Sequence, residues 1–218
     1  MTWPAGDEKA HPGVAEEEWT FSFWEPDGSA GGMVVLRLRP AEKMCWYWAA
    51  LVRAGLPLLH VVDWDAPLPR ANLTVRAEGL WADHVCEAPF EQWTVVNETY
   101  AVALDDPTDA LGRAYGTVAP VAFDLEWYAS GPARALAEGY EQSGEVHGAV
   151  ELGDGPMELT AATAHRTHRW SDALPPLRYE PAVAHLGLRA PVRFPDGTEL
   201  DLVLTAEGWR ARVPRSGP

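Results

Sequence analysis

The chain consists of short segments of alternating apolar and polar residues, separated by turn residues at near-regular spacing. In the first such segment Trp19, Phe21 and Phe23 alternate with their neighbours, and the turn residues 26–28 follow. No segment carries a convincing pattern for a long helix. Short strands with turns between them are typical of antiparallel sandwiches and barrels. The sequence therefore predicts an all-β protein.

The same pattern predicts further strands along the chain. They are expected at residues 33–39, 45–52, 58–64, 73–77, 80–86, 90–96, 99–104 and 123–128, in a pair within 140–170, and near 192, 200–204 and 209–213. Two stretches interrupt the series. Residues 105–116 could hold a single helical turn, and residues 130–139 could hold a short helix.

Residues 140–170 form the most informative segment, because they alternate as two strands and turn once at residues 153–155. In an extended strand, side chains two residues apart lie on the same face. Arg166, His168 and Trp170 are therefore expected on one face, where they could form the wall of a ligand site. An exposed face of a two-sided antiparallel sheet could carry the same residues.

Composition restricts the class of partner. The formal net charge of -15 over 218 residues argues against binding to nucleic acid and to anionic membranes, which require excess lysine and arginine. Small neutral or cationic ligands, or a protein partner, remain. No apolar run is long enough to cross a bilayer, and the acidic N-terminus lacks the features of a signal peptide. We expect a cytoplasmic location, where Cys45 and Cys86 are free thiols.

Eleven tryptophans are spread along the whole chain. Most are expected in the core, because aromatic side chains dominate burial in β proteins, and a subset lining a pocket is the alternative. Trp46 and Trp48 alternate with Cys45 and Tyr47, which makes that strand aromatic on both sides. One side must therefore pack on a second sheet, a ligand cavity or a dimer interface.

Acid and base candidates occur near the hairpin. Glu145 and His147 share a face that would be solvent-exposed if the apolar residues opposite form the core, and that could hold an acid and its partner if it lines an interior. Asp172 is a further acid candidate with the same alternatives. His165 and His168 are three residues apart and fall on opposite faces of a strand, so we expect no metal site.

The segment Tyr140 to Gly155, followed by the Arg166-Thr-His168-Arg-Trp170 stretch, resembles the carotenoid 1,2-hydratase-like (hydroxyneurosporene synthase-like) lipocalin superfamily, a branch of the calycins. The positions that match the family pattern are Tyr140, Glu141, Gln142, Gly144, Arg166, His168 and Trp170. Thr167 stands where the family usually has aspartate, and Ser171 where it has glycine. Relatives include enzymes that add water to polyenes, and decalin-forming cyclases resemble the same architecture.

The resemblance implies two consecutive lipocalin-like β-barrel or sandwich domains packed together, the second either complete or incomplete. The expected division is a flexible tail at residues 1–17, a first β domain at 18–115, a connector with one strand and a possible short helix at 116–139, and a second β domain at 140–214.

The resulting hypothesis is a protein that encloses an apolar small molecule, such as a polyene, terpenoid or polyketide, in a tryptophan-lined cavity. It would be a cofactor-independent cyclase or hydratase-like enzyme of secondary metabolism, with a non-catalytic lipocalin-like carrier and a protein-interaction scaffold as alternatives. The expected catalytic residues are Glu145, His147, His168 and Asp172. The expected substrate-binding residues are Trp46, Trp48, Trp81, Trp93, Trp127, Tyr140, Gln142, Arg166 and Trp170. No cofactor and no metal are expected.

Overall fold

The computed structural model describes residues 3–53, 56–70, 72–105, 110 and 114–175, together with the backbone of three strands within 189–212. Its strands are β1 (Glu16–Trp24), β2 (Ala30–Arg39), β3 (Met44–Arg53), β4 (Leu59–Pro67), β5 (Leu73–Ala77), β6 (Leu80–Ala88), β7 (Gln92–Leu104), β8 (Gly116–Ala129), β9 (Arg134–Leu136), β10 (Gly139–Leu152), β11 (Met157–Ser171), β12 (Arg189–Arg193), β13 (Glu199–Thr205) and β14 (Gly208–Arg212). Short 3-10 helices occupy Ala5–Glu8 and Pro40–Glu42.

Eleven antiparallel strands form one sheet in the order β4-β3-β2-β1-β11-β10-β8-β7-β6-β5, and β9 pairs with β10. The sheet curves into a partial ring, because β4 reaches β7, where Leu59 and His60 pair with Ala103 and Val102. The strands β12, β13 and β14 form a separate three-stranded sheet. The all-β prediction is confirmed. Within the described residues, no helix has the length and apolar character needed to cross a bilayer.

The large sheet crosses the boundary that was expected between two β domains. Every residue of β1 pairs with β11, from Glu16 opposite Ser171 to Trp24 opposite Thr163. Strands from both expected domains therefore share one sheet, and the division into two units stays a prediction.

The inner face of the ring is filled with apolar side chains that alternate along each strand. Trp19, Phe21 and Phe23 of β1 point into the same core as Trp93 of β7 and Trp127 of β8. All five have exposed fractions of 3% or less. This period-two burial is what the alternating sequence predicted. The tryptophans at these positions act first as core residues.

The structure resolves two of three local expectations. The segments expected as separate strands, residues 90–96 and 99–104, form the single strand β7. Asn97, which favours turns, is instead buried, and its side chain donates a hydrogen bond to the Tyr47 hydroxyl (2.6 Å). The helix expected within residues 130–139 is wrong, since β9 pairs there with β10. The helical turn expected at 105–116 lies largely outside the described residues.

Both cysteines are free, as expected. Burial raises the pKa of Cys45 to about 12 and that of Cys86 to about 11. Neither thiol is therefore activated as a nucleophile, because only the thiolate is reactive.

Candidate functional site

The hairpin of β10 and β11 brings the family-like residues together. Tyr140 lies directly opposite His168, and Gln142 lies directly opposite Arg166. All four point to the inner face of the ring and are buried. The predicted shared face is therefore confirmed, and it is an inner face. Together with Glu8, His11 and Glu17, these four residues form what we call the polar cluster.

Arg166 is the centre of the polar cluster and is only 1% exposed. Its Nη1 and Nη2 donate hydrogen bonds to the two carboxylate oxygens of Glu8 at 2.8 and 2.6 Å. Its Nε and Nη2 also donate to Gln142 Oε1 at 3.1 and 2.6 Å. Aromatic rings surround the guanidinium, at distances from 4.8 Å (Trp127) to 5.8 Å (Phe90), with Trp93 and Tyr140 between these limits. A buried cation is tolerated here because a carboxylate pairs with it in bidentate geometry.

The ion pair sets the charge state of Glu8. Burial alone would raise the pKa of this carboxyl, but the hydrogen bonds and the charge of Arg166 outweigh burial and lower it. Burial likewise disfavours the charged form of Arg166, and Glu8 more than offsets that effect, so the pKa of Arg166 is raised. Both groups are therefore charged in the folded protein and neutralise each other.

A chain of polar contacts continues from Glu8 through Tyr140 to His168. The Tyr140 hydroxyl donates a hydrogen bond to Glu8 Oε2 at 2.8 Å and lies 3.2 Å from His168 Nδ1. The other ring nitrogen of His168, Nε2, is 2.7 Å from Glu17 Oε1. Burial lowers the pKa of His168, although Glu17 opposes this effect, and burial raises the pKa of Tyr140. Tyr140 is therefore a permanent hydrogen-bond donor.

His11 completes the cluster at its solvent side. Its Nδ1 lies 2.7 Å from the same Glu17 oxygen, and its ring stacks on Trp170. Within the part of the chain that the structure describes, His11, Glu17 and His168 form the one group of three ligand-type side chains whose donor atoms all lie within 4.8 Å of one another. These are the residues that could hold a metal ion.

The segment that was expected to be a flexible tail covers the polar cluster. Trp3 packs against Tyr140 at a ring-centroid distance of 5.2 Å and against Trp170 at 6.2 Å. Glu8 itself is 2% exposed and also accepts a hydrogen bond from the Phe90 backbone N–H (2.7 Å). The N-terminal segment therefore closes this end of the ring.

Three of the four expected catalytic residues lie outside the polar cluster. The Glu145 carboxylate and the His147 ring lie 3.6 Å apart, with side chains 50% and 40% exposed. Asp172 is also exposed. This placement matches the solvent-facing alternative for that face of β10. His168 is the expected catalytic residue that the structure places in the cluster.

The expected binding residues divide into three groups. Six of them lie at the polar cluster or against it: Trp93, Trp127, Tyr140, Gln142, Arg166 and Trp170. Trp46 and Trp48 point to the opposite face of β3, where Trp46 packs against Arg39 (4.3 Å) and Trp48 donates a hydrogen bond to His60 (3.2 Å). Trp81 lies elsewhere, in an open groove.

The Trp81 groove has a volume of about 530 Å³. Its lining comprises Ala77, Gly79, Leu80, Trp81, Glu98, Thr99, Tyr100, Pro120, Val121, Ala122, Glu151 and Leu152. Val121 lies six residues before Trp127 on β8, which separates the groove from the polar cluster by roughly 20 Å along the strand. The groove and the cluster therefore occupy different ends of the ring.

Glu8, His11 and Glu17 were not among the residues that the sequence singled out. Glu17 carries a usable indication, because it is in phase with Trp19, Phe21 and Phe23 and so belongs to the inner face of β1. No comparable pattern marks Glu8 or His11, which precede the first strand.

Comparison with protein families identifies the family of the chain. Residues 4–175 match the model of the family described as DUF7064, a domain of unknown function. The chain belongs to the DUF7064 family. The DUF7064 match includes both the polar cluster and the Trp81 groove. No curated protein sequence matches the chain significantly.

A solved structure extends this result to the fold. The chain is similar to the crystal structure of a Nitrosomonas europaea protein that carries the provisional name AttH, with a TM-score of 0.51 and 14% sequence identity. The similarity covers 98% of this chain and 72% of that chain. At this identity the comparison concerns the fold alone. The curved antiparallel sheet of this DUF7064 member is consistent with the lipocalin-like architecture that the resemblance implied.

Proposed function

We propose that the protein binds a hydrophobic small molecule, such as a polyene, terpenoid or polyketide, in the Trp81 groove. The observation that carries the proposal is an open groove of about 530 Å³ with a largely apolar lining. Ligand sites for small molecules typically span roughly 300–1,000 Å³ and combine apolar walls with a few polar groups. The groove fits both criteria.

The strand register shows which side chains form the wall of the groove. Trp81 lies opposite Glu98, Glu98 opposite Ala122, and Ala122 opposite Glu151, so the four share one face in a row. In the next row, Tyr100 is 64% exposed. The small Ala122 side chain leaves a depression between two carboxylates, with aromatic rings beside it. A neutral or cationic apolar ligand suits this wall better than an anionic one.

Exposed apolar side chains continue beyond the groove. Tyr115 and Val118 are 62% and 64% exposed, and Val118 lies on β8 close to the groove residue Pro120. Contiguous exposed apolar surface in a folded domain commonly marks a binding site. By contrast, the tryptophans around Arg166 are packed and the arginine charge is already neutralised by Glu8.

Retinol, a neutral fluorescent polyene alcohol, tests the proposal in a direct titration. Retinol fluorescence is expected to rise on binding to the wild-type protein, and Trp81→Ala is expected to weaken binding about tenfold or more, because a large apolar contact is lost. Trp64→Ala is the matched control, since Trp64 is 37% exposed on β4 and lies outside the groove lining. Equal affinity in the two variants, or no binding to the wild type, would contradict the proposal.

A second candidate function is that of a cofactor-independent cyclase or hydratase-like enzyme, with a carrier as the non-catalytic alternative. The Tyr140 hydroxyl, held between Glu8 and His168 among aromatic rings, favours this candidate. In such an enzyme the Tyr140 hydroxyl would position the substrate as a hydrogen-bond donor, and the indole faces would stabilise positive charge that develops on the substrate, as a cyclase that works by shape requires. Lycopene is a suitable polyene probe, and mass spectrometry would detect a hydrated or isomeric product. Loss of product in Tyr140→Phe but not in Tyr128→Phe would support the enzyme, and no product from wild type would exclude it for this probe.

A further inference from the structure

Three side chains of the types that bind metal ions meet at the end of the ring that holds the polar cluster, which we call the polar end. They come from separate segments of the chain. His11 precedes β1, Glu17 lies on β1 and His168 lies on β11. Glu17 Oε1 is 2.7 Å from His11 Nδ1 and 2.7 Å from His168 Nε2. These two imidazole nitrogens and one carboxylate oxygen lie within 4.8 Å of one another and are a donor set that divalent transition-metal ions prefer.

The hydrogen bond made by His168 Nδ1 determines whether Nε2 carries a proton. This in turn determines what can lie between Nε2 and Glu17 Oε1, which are 2.7 Å apart. The Tyr140 hydroxyl donates its one proton to Glu8 at 2.8 Å, so its oxygen is free to accept a hydrogen bond from His168 Nδ1 at 3.2 Å. In that tautomer Nε2 carries a lone pair that faces a carboxylate oxygen. Two acceptors at this distance repel each other unless a proton or a metal cation lies between them.

His11 lies on the solvent side of the group. Its Nε2 lies 3.8 Å from the Asp7 carboxylate, beyond hydrogen-bonding distance, and its Nδ1 is directed at Glu17. The His11 side chain is 22% exposed, while Glu17 is 1% exposed. Solvent therefore reaches the group from one side.

We propose that His11, Glu17 and His168 bind a divalent transition-metal ion, with Zn²⁺ as the best match to two imidazoles and a carboxylate. Water would occupy the remaining position on the exposed His11 side. Ligand atoms on one tetrahedral zinc lie about 3.3 Å apart, so the two 2.7 Å contacts must open by about 0.6 Å. His11 precedes β1 and lies outside the strand ladder, so its contact with Glu17 can open by movement of His11. Glu17 and His168 lie on paired strands, so their contact must open by rotation of the side chains.

The ion would tie the N-terminal segment to β1 and β11. Because Trp3 packs on Tyr140 and Trp170, and His11 on Trp170, a bound ion would hold this cover over the polar cluster. This site is independent of the Trp81 groove and of what the groove binds.

The experiment uses tag-free protein that has been treated with a chelator and dialysed. Co²⁺ is added, and its visible absorption is recorded, because the band intensity reports coordination by protein ligands. We expect one equivalent of Co²⁺ to bind with intensified bands that equimolar Zn²⁺ removes. No change in the Co²⁺ spectrum, together with no Zn²⁺ binding by calorimetry up to millimolar concentrations, would overturn the proposal.

His11→Ala and His147→Ala form the matched pair of variants. Both side chains are partly exposed, and His147 has a carboxylate partner, Glu145, but lies outside the group. We expect His11→Ala to lose Co²⁺ and Zn²⁺ binding by about 100-fold or more, and His147→Ala to bind as the wild type does. Full binding in His11→Ala would overturn the proposal even if an ion binds elsewhere.

Tyr140→Phe tests the positioning role of the hydroxyl. Removing a group that orients a metal-bound histidine typically weakens metal binding about 10–100-fold. The Co²⁺ spectrum of this variant should also shift, because His168 is free to rotate or to change tautomer. An unchanged affinity and spectrum would overturn the role assigned to Tyr140.

Discussion

Aromatic residues line both ends of the ring, but among the residues that the structure describes, the rest of the chain covers only one of them. At the polar end, Glu8 neutralises Arg166 and Trp3 packs over Tyr140. At the groove end, Tyr100 stays 64% exposed and Trp81 borders an open volume. The difference indicates that aromatic content alone does not locate a ligand site. A ligand site also requires aromatic residues whose surface is not already packed against other parts of the chain.

The largest difference in unfolding free energy is expected between a variant that breaks the ion pair at the polar end and one that breaks an ion pair near the groove end. Glu8→Ala leaves Arg166 charged and buried, and losing one partner of a buried pair typically costs about 3–5 kcal/mol of unfolding free energy. Asp154→Ala removes the partner of Arg53 near the groove end, where the Asp154 side chain is 63% exposed, and should cost less than about 1 kcal/mol. Urea unfolding measures both. Similar losses in the two variants would remove the energetic distinction between the ends.

Two glycines on the β10–β11 hairpin test the difference in packing. A Cβ at Gly144 would clash with the Tyr128 backbone carbonyl and with the Trp127 ring (2.5 Å), whereas a Cβ at Gly153 has no described neighbour closer than 3.9 Å. Gly144→Ala should therefore destabilise the protein by about 1–3 kcal/mol through overpacking, and Gly153→Ala should be nearly neutral. Thermal unfolding of both variants checks this. A tolerated Gly144→Ala would show that the packing around Arg166 is loose.

A smaller effect is expected from pH, through a histidine in the packed interior. Burial lowers the pKa of His84 from 6.5 to about 3, and neither ring nitrogen has a hydrogen-bond partner among the described residues. Below pH 6.5 the unfolded chain gains a proton that the folded chain excludes, so stability is complete above pH 6.5 and falls with pH. The contribution of this histidine is about 2 kcal/mol between pH 6.5 and 5.

His84→Leu should remove that part of the acid sensitivity. Unfolding free energies of wild type and variant at pH 7 and pH 5 provide the comparison, and the variant should lose about 2 kcal/mol less on acidification. Equal losses in both proteins would mean that His84 is hydrated or paired in solution.

The sequence predicted which side chains share a face of a strand better than it predicted which strands pair in the sheet. Arg166 and His168 were expected on one face because side chains alternate along a strand, and this holds. Which strands pair is a long-range property that local patterns do not encode. The pairing of β1 with β11 therefore had no sequence indication, and neither did the bond between Glu8 and Arg166, which are 158 residues apart.

Turn residues predicted one chain reversal correctly and one break between strands wrongly. The reversal at residues 153–155 was predicted correctly between β10 and β11. Asn97 suggested a break but lies buried within β7, because Tyr47 and the Phe123 backbone satisfy its side chain. Among the described tryptophans, composition predicted that most are buried, but it did not distinguish Trp64, which is 37% exposed, or Trp81, which lines the groove beside the β5–β6 turn.

A crystal structure of the retinol complex would show which end of the ring holds the ligand. We expect retinol beside Trp81 and Tyr100, with Glu8 still bound to Arg166. Retinol between Trp93 and Trp127, with Glu8 displaced from the guanidinium, would contradict this expectation and would make the polar end the ligand site.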